Sequence, residues 1–574
     1  MRLGFCSITL ASQDGQGRNG RGHRCLKACG WLMAALVLTA LGSCSPDNYH
    51  TRADKETFAI LFQKTSQVKN VDMDDVDISL PGDVDLSRFP KSGDGAGFMG
   101  EASSRERGAR RMTLADALET GVTYGRVYLD EKERVFLSAL DLTLVKYELE
   151  PMPFAGGSLE WATDSRAAAV TNLVSTNTFS RTSSAGFSWL LKTGARVSTD
   201  FTRDFLRFTT GNRSINSSDL AVSIIQPLLQ GGGTTVTLEA LTQEERNVLY
   251  DLRGFADFRR TFVVDVVSDY YGVLRSRDRI QNNYVAYQGF LQSVEREEAL
   301  AEEERSTQTQ LGQLRQAALQ SESRWIDAIR IYLTQLDDLK LTLGIPVAET
   351  IILDDRELGK LGIDPPGITR EQAVKVALVT RPDLVTSVDR VADAERQIKV
   401  AENGLLPGLD VSLDYNPRSD IGDTTPAINW DRRRWEGTLD LDLPLDRKAE
   451  RNIYRATLVF LDRAKRANDL THDQARLEIY NAWRALEQAK LNFEIAEQEV
   501  SLADRRLEEQ KLLAELGKGE ARDLVDAQND LVNAQNQRTS TLVDHTLARL
   551  RLWRDMGILY ISDDGSWVTR LENE

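Results

Sequence analysis

Two kinds of hydrophobic periodicity alternate along this chain, and each occurs twice. From Arg447 to Leu516 apolar residues recur at helical spacing, charges fall at most turns, and no proline interrupts. At 1.5 Å per residue, roughly 70 residues span on the order of 100 Å. A helix of that length calls for a coiled coil, a membrane span or a helical repeat, and the charges exclude the membrane span. The pattern breaks at Gly517-Lys518-Gly519, and a return helix is expected through Asp523–Met556. An equivalent long helix is expected from about Thr234 to Glu304, with its return ending at Leu343-Gly344. Neither half could bury its thin apolar stripe alone; such helices need partners on both sides, as a closed ring supplies.

The second periodicity is two. Leu409, Val411, Leu413 and Tyr415 fall on one face of an extended segment, and Asp410, Ser412 and Asp414 on the other. Leu439, Leu441 and Leu443 likewise oppose Asp440 and Asp442. Asn416–Asn429, with Pro417, Gly422 and Pro426, reads as the loop between them. Each such region lies between two prolines, Pro153 and Pro227 in the first half, Pro407 and Pro444 in the second, and Pro153 and Pro407 are expected to end the helices before them. Pro227 is followed by the glycine run Gly231–Gly233. The first interval is 74 residues and the second 37. An added alternating segment after Thr193-Gly194 in the first half is a longer hairpin or an extra loop. Thr113 and Thr369 are plausible helix caps opening the two copies. The repeats are thus placed at 112–350 and 351–557, with a tail at 558–574.

Composition narrows the class. Charged residues make up 28% of 574 and the net charge is −16, which disfavours a general nucleic-acid binder. The four cysteines, Cys6, Cys25, Cys29 and Cys44, all precede residue 45, so the body has no disulfide framework or cysteine metal site. The four histidines have no metal-ligand spacing. No nucleophile elbow or phosphate loop occurs, since Gly231–Gly233 lacks the Gly-Lys-Ser/Thr ending. An enzyme is not expected, nor a cofactor. At the N-terminus, Arg24 and Lys27 precede an apolar run to Leu41, as in an export signal over 1–43. Leu41-Gly42-Ser43-Cys44 resembles a bacterial lipobox, which implies cleavage and acylation at Cys44; the alternative is an ordinary signal with a chance cysteine. Ser45, being no aspartate, favours outer-membrane sorting in the enterobacterial type. Residues 44–111 read as a periplasmic extension, wrapped in extended form on a neighbour or partly disordered.

Over residues 112–557 the chain resembles the TolC-like outer membrane efflux proteins, in their lipid-anchored branch. The resemblance is carried by Arg381-Pro-Asp-Leu384, Gly404-Leu-Leu-Pro407, Gln226-Pro-Leu-Leu-Gln-Gly-Gly232 and Gly517-Lys-Gly-Glu-Ala-Arg-Asp-Leu-Val-Asp-Ala-Gln528. It implies an α+β membrane protein. Three copies would each give four strands to a shared outer-membrane β-barrel, continued by a long periplasmic α-helical coiled-coil barrel. It also implies an adaptor-contacting tip at Gly517, Lys518, Gly519 and Glu520, with a first-half counterpart at Arg305, Ser306 and Thr307. Asp523 and Asp526, three apart on one helix face, match the family's carboxylates at the tunnel entrance. At Ala514 and Gly519 this chain lacks the tyrosine and arginine that lock the gate in some members. Asp410, Asp414, Asp440 and Asp442 would face the lumen, and Trp430 and Trp435 stand where an aromatic belt could lie.

The expected function is an outer-membrane exit duct for small molecules, coupled to a periplasmic adaptor and an inner-membrane pump. The alternatives are the exit duct of a type I protein secretion system and, in another class, a lipid-anchored coiled-coil scaffold without a pore.

Overall fold

A computed structural model describes residues 46–569 apart from 72–75, 80, 94, 170–171, 209–213, 304–306, 421–426, 517 and 563–564. Cys44, Arg305, Ser306 and Gly517, together with the signal segment 1–43, lie outside the described residues. The chain divides between Ala59 and Ile60 into two units. The described part of the first is the opening of helix α1 (Pro46–Thr65), with Pro at its first position. The second unit holds all the elements that follow.

The extension is more ordered than its composition indicates. α1 is helical because no glycine or proline interrupts Asp47–Thr65. Beyond it Val68, Leu86, Phe89 and Met99 are buried, and Arg277 pairs with Glu106 at 2.9 Å. Expected to be extended or partly disordered, the segment is anchored instead, by a few apolar residues spaced too irregularly to show a period.

Each repeat begins with a short strand and a capped helix. β1 (Arg110–Met112) pairs in parallel with β6 (Ile351–Leu353), so the starts of the two copies lie side by side. Thr113 and Asp116 form a capping box on α2 (Leu114–Tyr124), ahead of α3 (Arg126–Tyr147). The first repeat continues through strands β2 (Met152–Ala169), β3 (Asn172–Leu190), β4 (Arg196–Phe208) and β5 (Ser214–Pro227). It closes with α4 (Glu239–Glu302) and α5 (Gln308–Leu343). Gly344 ends α5 at φ 75°, where a Cβ would meet the Tyr124 carbonyl at 2.0 Å, so only glycine fits.

In the second repeat Thr369 and Gln372 box the start of α6 (Arg370–Thr380) and α7 (Pro382–Gly404) follows. Strands β7 (Gly408–Ser419) and β8 (Ile428–Asp442) lead into α8 (Lys448–Glu515) and α9 (Ala521–Asp555). Buried Ala475, Ile479, Leu486, Ala489, Ala496, Ala503 and Leu507 recur along α8 at coiled-coil spacing. A second apolar stripe on α8, including Phe460, Leu470, Leu477, Leu491 and Leu502, stays exposed. The tail is ordered through Thr569 where described: β9 (Leu559–Ile561) pairs with β10 (Trp567–Thr569). Buried Arg260 donates to the Leu559 carbonyl and Arg259 to that of Ile561.

Among the described residues, β2-β3-β4-β5-β7-β8 form one six-stranded antiparallel sheet. Four strands were expected from the resemblance; the first repeat contributes four by itself, so its surplus residues form an added strand pair. Pro153 does not end a helix. α3 stops at Tyr147, and Pro153 lies in β2, a sheet edge, where a missing N–H can be tolerated. Pro417 lies inside β7 rather than in a loop, and the register shifts immediately after it, which accommodates the absent donor.

Candidate functional site

The cross-strand register sorts the side chains of the sheet onto two faces, whose chemistry differs most clearly in β4, β7 and β8. On one face Phe187 of β3 lies between Pro153 and Thr199, and Phe201 of β4 lies between Ala185 and Leu220. The same face carries Val222 opposite Tyr415, Ile224 opposite Leu413, Tyr415 opposite Trp435, and Val411 opposite Leu439. Its residues are solvent-exposed in the single chain: Leu159 is 71%, Trp161 62% and Leu439 66% accessible. An apolar sheet face this open belongs against another apolar medium or chain.

The opposite face is polar and mostly acidic. Asp410 is directly across from Asp440 and Asp414 from Glu436, while Asp442 faces Gly408. The four aspartates expected on one side therefore do lie on one side, and the register adds Asp200, Asp204, Asp219 and Glu436 to them. Two arginines there are paired: Arg418 with Asp219 at 3.0 Å and Arg434 with Glu436 at 3.0 Å. The added carboxylates of β4 follow a strict alternation, Ser198-x-Asp200-x-Thr202-x-Asp204, against Val197, Thr199, Phe201 and Phe205. That alternation was the available signal. Trp435 lies near Tyr415 on the apolar face, with ring centroids 4.3 Å apart, whereas Trp430 falls where the register of β8 shifts, between Asn429 and Arg433.

The second candidate region is the far end of the long helices. Leu314 of α5, Leu507 of α8, and Ala521, Leu524 and Leu531 of α9 share one apolar cluster, against which Val294 of α4 packs. Both helical reversals thus lie at the same end. Thr307 caps α5 in a box with Gln310. At the other reversal the amides of Lys518 and Gly519 both donate to the Leu513 carbonyl. Gly519 is not among the positive-φ glycines. It is needed for space: a Cβ would stand 2.8 Å from the Ala514 amide nitrogen.

Asp523 and Asp526 are both exposed on α9, beside buried Leu524 and Ala527. Asp526 is 4.0 Å from Arg522, and Asp530, one turn on, is ion-paired with Arg506 of α8. Asp530 was not singled out from the sequence; its i+4 spacing from Asp526 would have been enough to find it. The corresponding turn of α5 carries Gln310 and Gln313 and no carboxylate, so the opening turns of the two return helices differ in charge. Among the described residues, no helix is long and apolar enough to cross a membrane.

Residues 373–556 match the family model of the outer membrane efflux protein. Comparison with the curated proteins finds no match. Among solved structures, a membrane protein from Pseudomonas aeruginosa is similar, with TM-score 0.59 at 14% identity over 83% of this chain and 98% of that one. So is the Campylobacter jejuni CmeC outer membrane channel, with TM-score 0.57 at 13% identity over 81% and 89%. The Neisseria gonorrhoeae MtrE outer membrane channel, solved in its open state, gives 0.56 at 10% identity over 77% and 88%. Residues 373–556 therefore carry the outer membrane efflux protein signature, and over 77–83% of its length the chain shares the fold of these solved structures.

Proposed function

We propose that three copies of this chain form an outer-membrane channel, the passive exit duct of a small-molecule efflux system driven by an adaptor and an inner-membrane pump. The observation that carries this reading is the two-faced sheet with its edges β2 and β8 unpaired among the described residues. A sheet with a lipid-compatible face must close to satisfy its edge N–H and C=O groups. β2 and β8 run in opposite directions, so β8 of one copy can pair with β2 of the next as antiparallel neighbours. The uncovered stripe on α8 supports the same closure, since a second copy would cover it.

Three six-stranded sheets give a barrel of eighteen strands. With strands about 4.8 Å apart and tilted about 40°, its backbone diameter is roughly 36 Å, against roughly 24 Å for twelve strands. That wider mouth is the one observation favouring the second reading, an exit duct for secreted protein.

In this reading Asp410, Asp414, Asp440 and Asp442 line the lumen, and Asp523 and Asp526 line the periplasmic entrance. Thr307, Lys518, Gly519 and Glu520 meet the adaptor, with Arg305, Ser306 and Gly517 beside them in sequence. Acylated Cys44 anchors the chain; Cys44→Ser should abolish labelling by a palmitate analogue, and retained label would refute the anchor. The channel itself is tested with purified protein in planar bilayers and by native mass spectrometry. Trimers with stepwise conductance are expected. Assembled protein without conductance would overturn the duct and leave the scaffold.

A further inference from the structure

The apolar face of the sheet carries four arginines: Arg181 on β3, Arg203 and Arg207 on β4, and Arg433 on β8. The register puts them on that face unambiguously. Arg181 lies between Leu159 and Phe205, Arg207 opposite Phe179, and Arg433 opposite Pro417. All four are exposed, and no carboxylate among the described residues pairs with any of them. The polar-face arginines of the same sheet, Arg418 and Arg434, do have carboxylate partners. Cations left unpaired on an apolar face are costly unless something outside the chain answers them.

Their height is as informative as their face. Arg181 is nine residues from Leu190, Arg203 and Arg207 are seven and eleven from Arg196, and Arg433 is nine from Asp442, each counted from the strand end nearest the helices. At about 3.3 Å per residue and a tilt of about 40°, they stand roughly 18–28 Å from that end. The apolar band of an outer-membrane barrel is about 25 Å tall. Below the arginines the face is Phe187, Val197, Phe201, Ile224, Leu413, Leu439 and their neighbours; level with them are Trp161, Phe179, Phe205 and Trp435. Aromatic rings of that kind sit at headgroup depth. Guanidinium groups grip phosphate through two parallel hydrogen bonds.

We propose that Arg181, Arg203, Arg207 and Arg433 form a binding girdle for the phosphate groups of outer-leaflet lipid. The aromatic rings interleaved with them pack against the first carbons of the acyl chains. The inference rests on the channel reading, because that reading directs the helices into the periplasm and the far strand ends outward. Three copies place twelve guanidinium groups around the barrel.

The test uses purified full-length trimer and nanodiscs of phosphatidylcholine, with and without a phosphorylated glycolipid of the lipid A type. Native mass spectrometry and a fluorescent glycolipid titration read retention. The native protein should retain the glycolipid, and R181Q/R203Q/R207Q/R433Q should bind at least ten-fold more weakly with conductance kept. R434Q, on the other face, should bind as the native protein does. Inorganic phosphate at millimolar concentration should not compete, whereas effective competition would mean a free-anion site and overturn the lipid assignment. Unchanged glycolipid binding in the fourfold variant, or an equal loss in R434Q, also overturns it. Should the fourfold variant fail to assemble, R207Q alone is measured against R434Q and must still bind more weakly. Loss of conductance in the native protein would instead sink the channel reading, so the two failures are separable.

Discussion

Arg277 and Glu106 are each only 7% exposed and lie 2.9 Å apart, joining the N-terminal extension to α4. Arg277 also pairs with the exposed Asp355 at 3.2 Å, so removing Glu106 leaves it one carboxylate and costs less than the roughly 3 kcal/mol of a fully stranded buried charge. Glu106→Ala should therefore loosen the extension and speed tryptic cleavage at Arg105 and Arg107. Glu106→Leu with Arg277→Met, which removes both charges, should restore much of the protection. His545, buried on α9, is held below its usual 6.5 chiefly by burial and then by Arg549, with Asp364 opposing. Below about pH 6.5 the unfolded chain takes up a proton that the folded chain resists. This group's contribution is thus intact above 6.5 and lost as the pH falls through the lower folded value. The thermal midpoint of His545→Phe should fall less than that of the native protein between pH 7.5 and 5.5. At the proposed entrance, Asp523→Asn with Asp526→Asn should weaken block of conductance by multivalent cations several-fold. Undiminished block would remove both residues from the entrance.

At the scale of elements, the long helices were legible because their apolar residues keep one spacing over many turns and no proline interrupts them. The pair β7 and β8 was legible because leucines alternate with aspartates. β2 and β3 were not. Ala155, Gly157, Ser183 and Ala185 occupy the apolar face, and Gly156, Ser158, Ser184 and Gly186 the polar one. Small residues on both faces erase the contrast on which the period depends. The placement of Asp410, Asp414, Asp440 and Asp442 on one face could be read from alternation. The grouping of Asp200 and Asp204 with them needed the register. α1 was hidden for another reason: a charged segment with few apolar residues gives a weak helical signal. The reversal at Gly519 makes its own prediction. Gly519→Ala forces a methyl group against the Ala514 backbone, with about 1–3 kcal/mol of overpacking. Amide exchange in 510–524 should rise, with exchange in β7 and β8 unchanged.

At the scale of the whole molecule, the two repeats share one plan and divide its parts. The first supplies four of the six strands and a return helix that opens without a carboxylate; the second supplies two strands and a return helix that opens on Asp523 and Asp526. The parallel pair β1–β6 ties their starting points together. The added strand pair acts far from these two aspartates, about the length of α8 away. In the proposed trimer the assembly behaves like two resistors in series, and widening one end moves nearly all the voltage drop to the other. Charge-neutralising Asp410 and Asp440 in the mouth should then leave single-channel current almost unchanged. The same change at Asp523 and Asp526 should alter it strongly. In that trimer the extra strands leave flow to be governed at the far end of the long helices, where Asp523 and Asp526 lie.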